Sequence, residues 1–198
     1  MTKRYFKILG ALASLFVCGT AYGATTIFTA LLTGPSESPP NASPGTGNAI
    51  VTLDDIANTL VVNVTFSGLS GTTTASHIHA ATAVPGTGTA GVATTTPFFA
   101  GFPIGVTSGS YLHTLDLTLA SSYNPSYVTA HGGTTAGAEA ALEAALMAGE
   151  AYLNIHTTTF GGGEIRGFLT TVPDGAETAA LLIMALFAMF GFARYQRA

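Results

Sequence analysis

Apolar and polar positions alternate with a period of two through most of the middle of this chain, the pattern of half-buried strands. Residues 25–32 (TTIFTALL), 48–53 (NAIVTL) and 59–66 (TLVVNVTF) are three predicted strands. In the third, Leu60, Val62, Val64 and Phe66 form one apolar face, and Val61, Asn63 and Thr65 form the wetter one. Asp54, Asp55 and Asn58 mark a hairpin loop between the second and third strands, because short acidic and amide side chains bond to their own backbone in turns. Residues 33–47, rich in Pro, Ser, Gly and Asn, read as a loop whose one charge is Glu37. Residues 74–81 (TASHIHAA) make a short strand at most. Residues 83–109 read as loops with one or two short strands, around an apolar patch from Phe98 to Ile104. Clean alternation returns over residues 111–119, with Tyr111, His113, Leu115 and Leu117 on one side.

The period then changes. Residues 123–131 read as a loop, because Asn124-Pro125 disfavours a helical start. Residues 134–148 predict the one convincing helix. Thr134 or Thr135 caps it, Ala138, Leu142, Ala145 and Leu146 form its apolar stripe, and Gly149 stops it. Residues 151–169 (AYLNIHTTTFGGGEIRGFL) follow as two strands around Gly161, Gly162 and Gly163, which allow a tight reversal. Leu153, Ile155, Ile165 and Leu169 pack inward in this reading, so Tyr152, Asn154, His156, Glu164 and Arg166 share the other face. Glu164 and Arg166 stand at i and i+2, so each is better placed to pair with a neighbouring strand than with the other.

Two stretches carry a family resemblance. YLNIHTTTFGGGEIRGFL and, upstream, Ser76-His77-Ile78-His79-Ala80 resemble the landmarks of the CHRD domain, the module named after chordin and found in many exported bacterial proteins. The resemblance spans residues 26–169. It implies a compact β domain of extracellular proteins with no established enzymatic activity, and it marks Tyr152, Asn154, Glu164 and Arg166 as structural motif residues. Together with the Val/Thr-rich strands and frequent turn signals, the expected fold is all-β. It is a Greek-key β-sandwich of seven to nine strands, with one helix inserted before the last hairpin.

The ends read differently from the body, residues 24–170. Lys3, Arg4 and Lys7 precede an apolar run, and Ala21-Tyr22-Gly23 supplies small residues before Ala24, so residues 1–23 read as a secretory signal peptide. Its apolar core of about 11 residues is too short to span a bilayer. Residues 171–198 begin with Val172-Pro173-Asp174-Gly175, which breaks regular structure. Residues 178–193 carry no charge, and Arg194 and Arg197 follow. A run of about 16 residues reaches about 24 Å as a helix, enough for a ~30 Å hydrocarbon core with snorkelling flanks. It is expected to be a transmembrane helix with its arginines on the cytoplasmic side. A Pro motif, a short apolar helix and a basic tail in this order resemble the PEP-CTERM sorting signals of Gram-negative bacteria, with Pro173-Asp174-Gly175 in place of the usual Pro-Glu-Pro. That resemblance implies export past signal peptidase, transient anchoring, cleavage by an exosortase near Val172, Pro173 and Asp174, and transfer to the cell surface; the departure from Pro-Glu-Pro points to a variant class with its own sortase or to a plain tail anchor.

Composition narrows the function. Only 8% of the 198 residues are charged and the formal net charge is −4, with no basic run inside the body. A nucleic-acid partner is therefore excluded, since it requires a positive surface to neutralise phosphates. Mean hydropathy of +0.46 is high for a soluble chain, and the two apolar ends account for much of it. Cys18, the one cysteine, lies in the signal segment, so the mature chain has no disulfide or thiol chemistry.

The sharpest chemical signal is His77 and His79. At i and i+2 on a strand they project from the same face about 6.5–7 Å apart, close enough to converge on one Cu or Zn ion. His156 or His131 is the candidate third ligand. No carboxylate pair, Ser-His-Asp set or phosphate loop stands out. The leading expectation is a non-catalytic, surface-sorted module that binds extracellular polysaccharide or matrix in adhesion or biofilm. The alternative is a Cu- or Zn-binding, redox-active protein using His77, His79 and His156.

Overall fold

The alternation seen in the sequence closes into ladders. The computed structural model describes residues 25–172. The expected signal peptide, Pro173, Asp174, the apolar run 178–193, Arg194 and Arg197 lie outside the described residues. Eight strands form one antiparallel sheet: β1 (Thr25–Thr33), β2 (Thr46–Asp54), β3 (Thr59–Ser67), β4 (Thr73–His79), β5 (Gly109–Asp116), β6 (Tyr152–Thr157), β7 (Ile165–Phe168) and β8 (Thr170–Thr171). Their order is β4-β6-β7-β1-β2-β3-β5, with β8 also beside β1. Val172 follows β8, its N–H donating to the Ile27 carbonyl. Among the described residues no helix is long and apolar enough to cross a membrane.

The sheet has to curl. β3 and β4 are five places apart in the order, about 24 Å across a flat sheet. The link between Ser67 and Thr73 spans at most about 21 Å fully extended. Curling brings the two ends together and leaves a concave side that fills with the apolar face of each strand. Phe28, Leu32, Val51, Leu60, Val62, Val64, Ile78, Leu153, Ile155, Ile165 and Leu169 are all buried there. The patch expected in the long 80–108 loop joins this core. Phe102 stacks on Phe66 and Phe99 on Tyr111, each pair 5.6 Å apart.

Two helices lie between β5 and β6. α2 (Thr135–Met147) is capped by the Thr134 side chain accepting from the Gly137 N–H, and it buries Ala138, Leu142, Ala145 and Leu146 as the stripe predicts. Gly149, at φ 69°, ends that turn in a conformation that favours glycine. α1 (Pro125–Ala130) corrects the expected loop. Asn124 is extended, as a residue before proline must be, but its side chain accepts from the Ser126 N–H. Asn124 is thus the N-cap, and Pro125 occupies the first helical turn, where its missing N–H costs nothing. The expected short strands within residues 83–109 reduce to isolated bridges, one of them His79 with Val92.

Candidate metal centre

The last hairpin pairs Tyr152 opposite Phe168, Asn154 opposite Arg166 and Ile155 opposite Ile165. On its other side β6 pairs with β4, placing His77 beside Asn154 and His79 beside Tyr152. Period two therefore gathers His77, His79, Tyr152, Asn154, His156, Glu164, Arg166 and Phe168 on the convex face of β4, β6 and β7. This face is not wet. Asn154, Glu164 and Arg166 are at most 4% exposed, because three loops cover them. The loop after β1 brings Ser36 and Glu37, the 80–108 loop brings Ala90 and Pro97, and the glycine turn brings Gly161.

Each of the three histidines is held in the same way. His77 Nε2 donates to the Pro97 carbonyl at 2.7 Å, His79 Nδ1 to Ala90 at 2.9 Å and His156 Nδ1 to Gly161 at 2.9 Å. A carbonyl only accepts, so these bonds fix the neutral tautomers and leave one lone-pair nitrogen on each ring. The nitrogens left over, His77 Nδ1, His79 Nε2 and His156 Nε2, are buried and have no hydrogen-bond partner. One nitrogen of each ring lies within 4.8 Å of those of the other two. Burial, above all, depresses the basicity of all three rings against the pull of their carbonyls, and His77 falls to about 4. The triad is therefore neutral at pH 7, with its donor pairs free.

Glu164 and Arg166 have separate jobs. Burial alone would raise the Glu164 carboxyl, but hydrogen bonds from Ser43, Thr157, Ser70 and Gly71 outweigh it and hold the group below its ordinary value. Among the described residues no cation pairs with it; two hydroxyls and two backbone N–H groups hold the charge. Arg166 donates to the carbonyls of Ser36 and Gly88 and lies 3.7 Å from Glu37. Its guanidinium also covers the Tyr152 ring at 4.7 Å, and that ring stacks on His79 at 4.8 Å. Burial pushes the Glu37 carboxyl up to about 7, against the opposing charge of Arg166.

Of the predicted ligands, His77, His79 and His156 come together and His131 does not. His131 ends α1 and its Nδ1 donates to the Tyr127 carbonyl. Sequence reasoning missed Glu37 as the partner of Arg166. Its signal was its isolation, as the one charge in a loop of prolines and serines. It also missed the three carbonyl anchors, which leave no trace in side-chain pattern.

With the fold and the triad in place, comparison with known families gives one finding: the model of the CHRD domain matches residues 28–169. No curated protein and no solved structure matches the chain.

Proposed function

The chain belongs to the CHRD domain family, and we propose that it is an exported, non-catalytic module of the bacterial envelope whose buried triad holds one Cu or Zn ion. The observation that carries this reading is the three unpartnered ring nitrogens of His77, His79 and His156. A trapped water brings two protons and so satisfies two of three lone pairs, whereas a cation meets all three. Imidazole nitrogen suits Cu and Zn, and ligand rings anchored through their other N–H are the usual support for such an ion.

The curled sheet is read as a Greek-key sandwich, with β4, β6 and β7 forming one wall and β2, β3 and β5 the other. Export by signal peptidase and exosortase sorting through Val172, Pro173 and Asp174 rest on the sequence of the chain ends. A matrix-binding or adhesive role is supported by the outer face of β1, β2, β3 and β5. There Ile27, Leu31, Ile50 and Leu112 are 43–70% exposed. Among the described residues the register makes Asp54 and Asp116 the only charges on that face.

The test is metal analysis of the purified chain. It should carry about one Cu or Zn, lost in His77→Ala, His79→Ala and His156→Ala and kept in His131→Ala. Ion at about a hundred times its Kd should stabilise the fold by about 2.7 kcal/mol. A chain that takes up neither ion, with no rise in melting temperature, overturns the reading.

A further inference from the structure

We propose that the ion is copper in its monovalent state, Cu(I), bound by His77, His79 and His156 alone. This rests on the reading that the triad binds a metal, and it names which one. The ligand group is all imidazole, with no thiolate or carboxylate within it. Three neutral nitrogens cancel none of an ion's charge, so the surroundings must carry all of it.

Those surroundings favour the smaller charge. Arg166 is the one cationic side chain between residues 25 and 172 other than the histidines. It lies on the far face of Tyr152, whose near face stacks on His79, and its charge is felt at that ring. Neither carboxylate of this face belongs to the triad: Glu37 Oε2 faces Arg166, its Oε1 being unpartnered, and Glu164 is bonded to its four donors. His77 and His79 are only 6% and 8% exposed, and His156 is half-buried with its Nε2 enclosed, so bulk water does little to compensate at the nitrogens. Charging energy grows with the square of the charge, so a divalent ion costs about four times what a monovalent one costs in the same pocket. Zn²⁺ also takes four ligands, and three protein donors oblige it to hold a water or an anion in the fourth place. Cu(I) is complete with three nitrogens and brings a single charge.

The experiment uses the full chain, stripped of metal and handled without oxygen. Cu(I) affinity is measured by competition with a chromophoric Cu(I) chelator, and Zn(II) affinity with a zinc chelator. X-ray absorption then reports the coordination number of bound copper. Cu(I) should bind about a hundredfold more tightly than Zn(II), in a three-nitrogen site, a preference set by the charge penalty. Arg166→Gln, checked for native circular dichroism, should narrow that preference by about tenfold, since it removes a fixed positive charge. Zn(II) binding as tightly as Cu(I), or copper with a fourth oxygen ligand, overturns the inference while leaving the metal site standing. Binding of neither ion overturns the metal reading as well.

Discussion

Glu164→Gln tests how the buried polar face is held together. The carboxylate is wholly buried. Its Oε1 accepts from the Ser43 hydroxyl and the Ser70 N–H, each at 2.5 Å. Its Oε2 accepts from the Thr157 hydroxyl at 2.5 Å and the Gly71 N–H at 3.2 Å. Glutamine keeps the shape but turns one oxygen into a donor. The hydroxyls can rotate and accept, but the backbone N–H groups cannot. Whichever way the amide turns, either Ser70 or Gly71 is left facing another N–H. A stranded buried donor costs about 1–3 kcal/mol, and losing the charge from the remaining bonds adds about 1 kcal/mol. In a domain of about 150 residues each kcal/mol moves the melting temperature by about 2–4 °C, so the variant should melt about 5–15 °C lower. Circular dichroism melts at pH 7 with a chelator present isolate this from metal binding. Ser43→Ala removes two bonds worth about 1 kcal/mol each, the donation to Glu164 and the acceptance from the Gly45 N–H, and should also melt below the parent. A Glu164→Gln melt within about 2 °C of the parent would refute the reasoning, because no satisfied carboxylate could then be present.

Three other outcomes are expected. Arg166→Ala should lower the unfolding free energy by about 3 kcal/mol, read as a lower urea midpoint at unchanged m value, because it strands Glu37 and removes the cover from Tyr152; an unchanged midpoint would make Arg166 idle. Gly163→Ala should destabilise by about 2 kcal/mol or more in the same assay, since φ is 132° and a Cβ would sit 2.6 Å from Glu37 Oε1 and 2.7 Å from Asn154 Nδ2. A neutral effect there would mean that the loop carrying Glu37 moves freely. The metal-free chain should also weaken in acid. The unfolded histidines titrate near 6.5 and the folded ones lower, so the unfolded chain binds more protons between those values and stability drains as pH falls. It is intact above about 6.5 and is lost toward 4, where His77 titrates, a window worth about 3 kcal/mol for that residue. Glu37 runs the other way, stabilising below 4.5 and losing that as pH rises to about 7. Glu139 is also raised, first by burial, so three histidines stand against two carboxyls; urea midpoints should fall from pH 7 to 4.5, and a flat profile would contradict the burial of the triad.

The sequence carried the parts of this protein that depend on periodicity. Leu60, Val62 and Val64 pointed inward because a strand allows nothing else, and the same rule put His77, His79 and His156 on one face. What it could not carry was which distant segment would lie over that face. Arg166 meets Glu37, a residue 129 positions earlier, only because the curl brings the loop after β1 against β7. The tautomers of the triad depend on the carbonyls of Ala90, Pro97 and Gly161, and every residue type has a carbonyl. Asn124-Pro125 misled for a different reason. The same dipeptide that stops a helix behind it can begin one ahead of it, and α2 packing beyond it decides which.

β1 has a further consequence, for the order in which the molecule can be built. Thr33 pairs with Thr46 on one edge and with Arg166 on the other. A chain emerging N-terminus first can assemble β1, β2 and β3 early, since short loops join these neighbours, and β5 adds to β3 once the long 80–108 loop has followed. β4 waits with one edge bare until β6 arrives, and His77 and His79 wait with it for His156. Closure is thus a late, non-local event of the kind that slows folding. A chain cut between His79 and the final hairpin would carry two of the three imidazoles, with neither the third nor the stacked Tyr152. Ion retention would then act as proof of completion, separating finished molecules from truncated ones before any other property could.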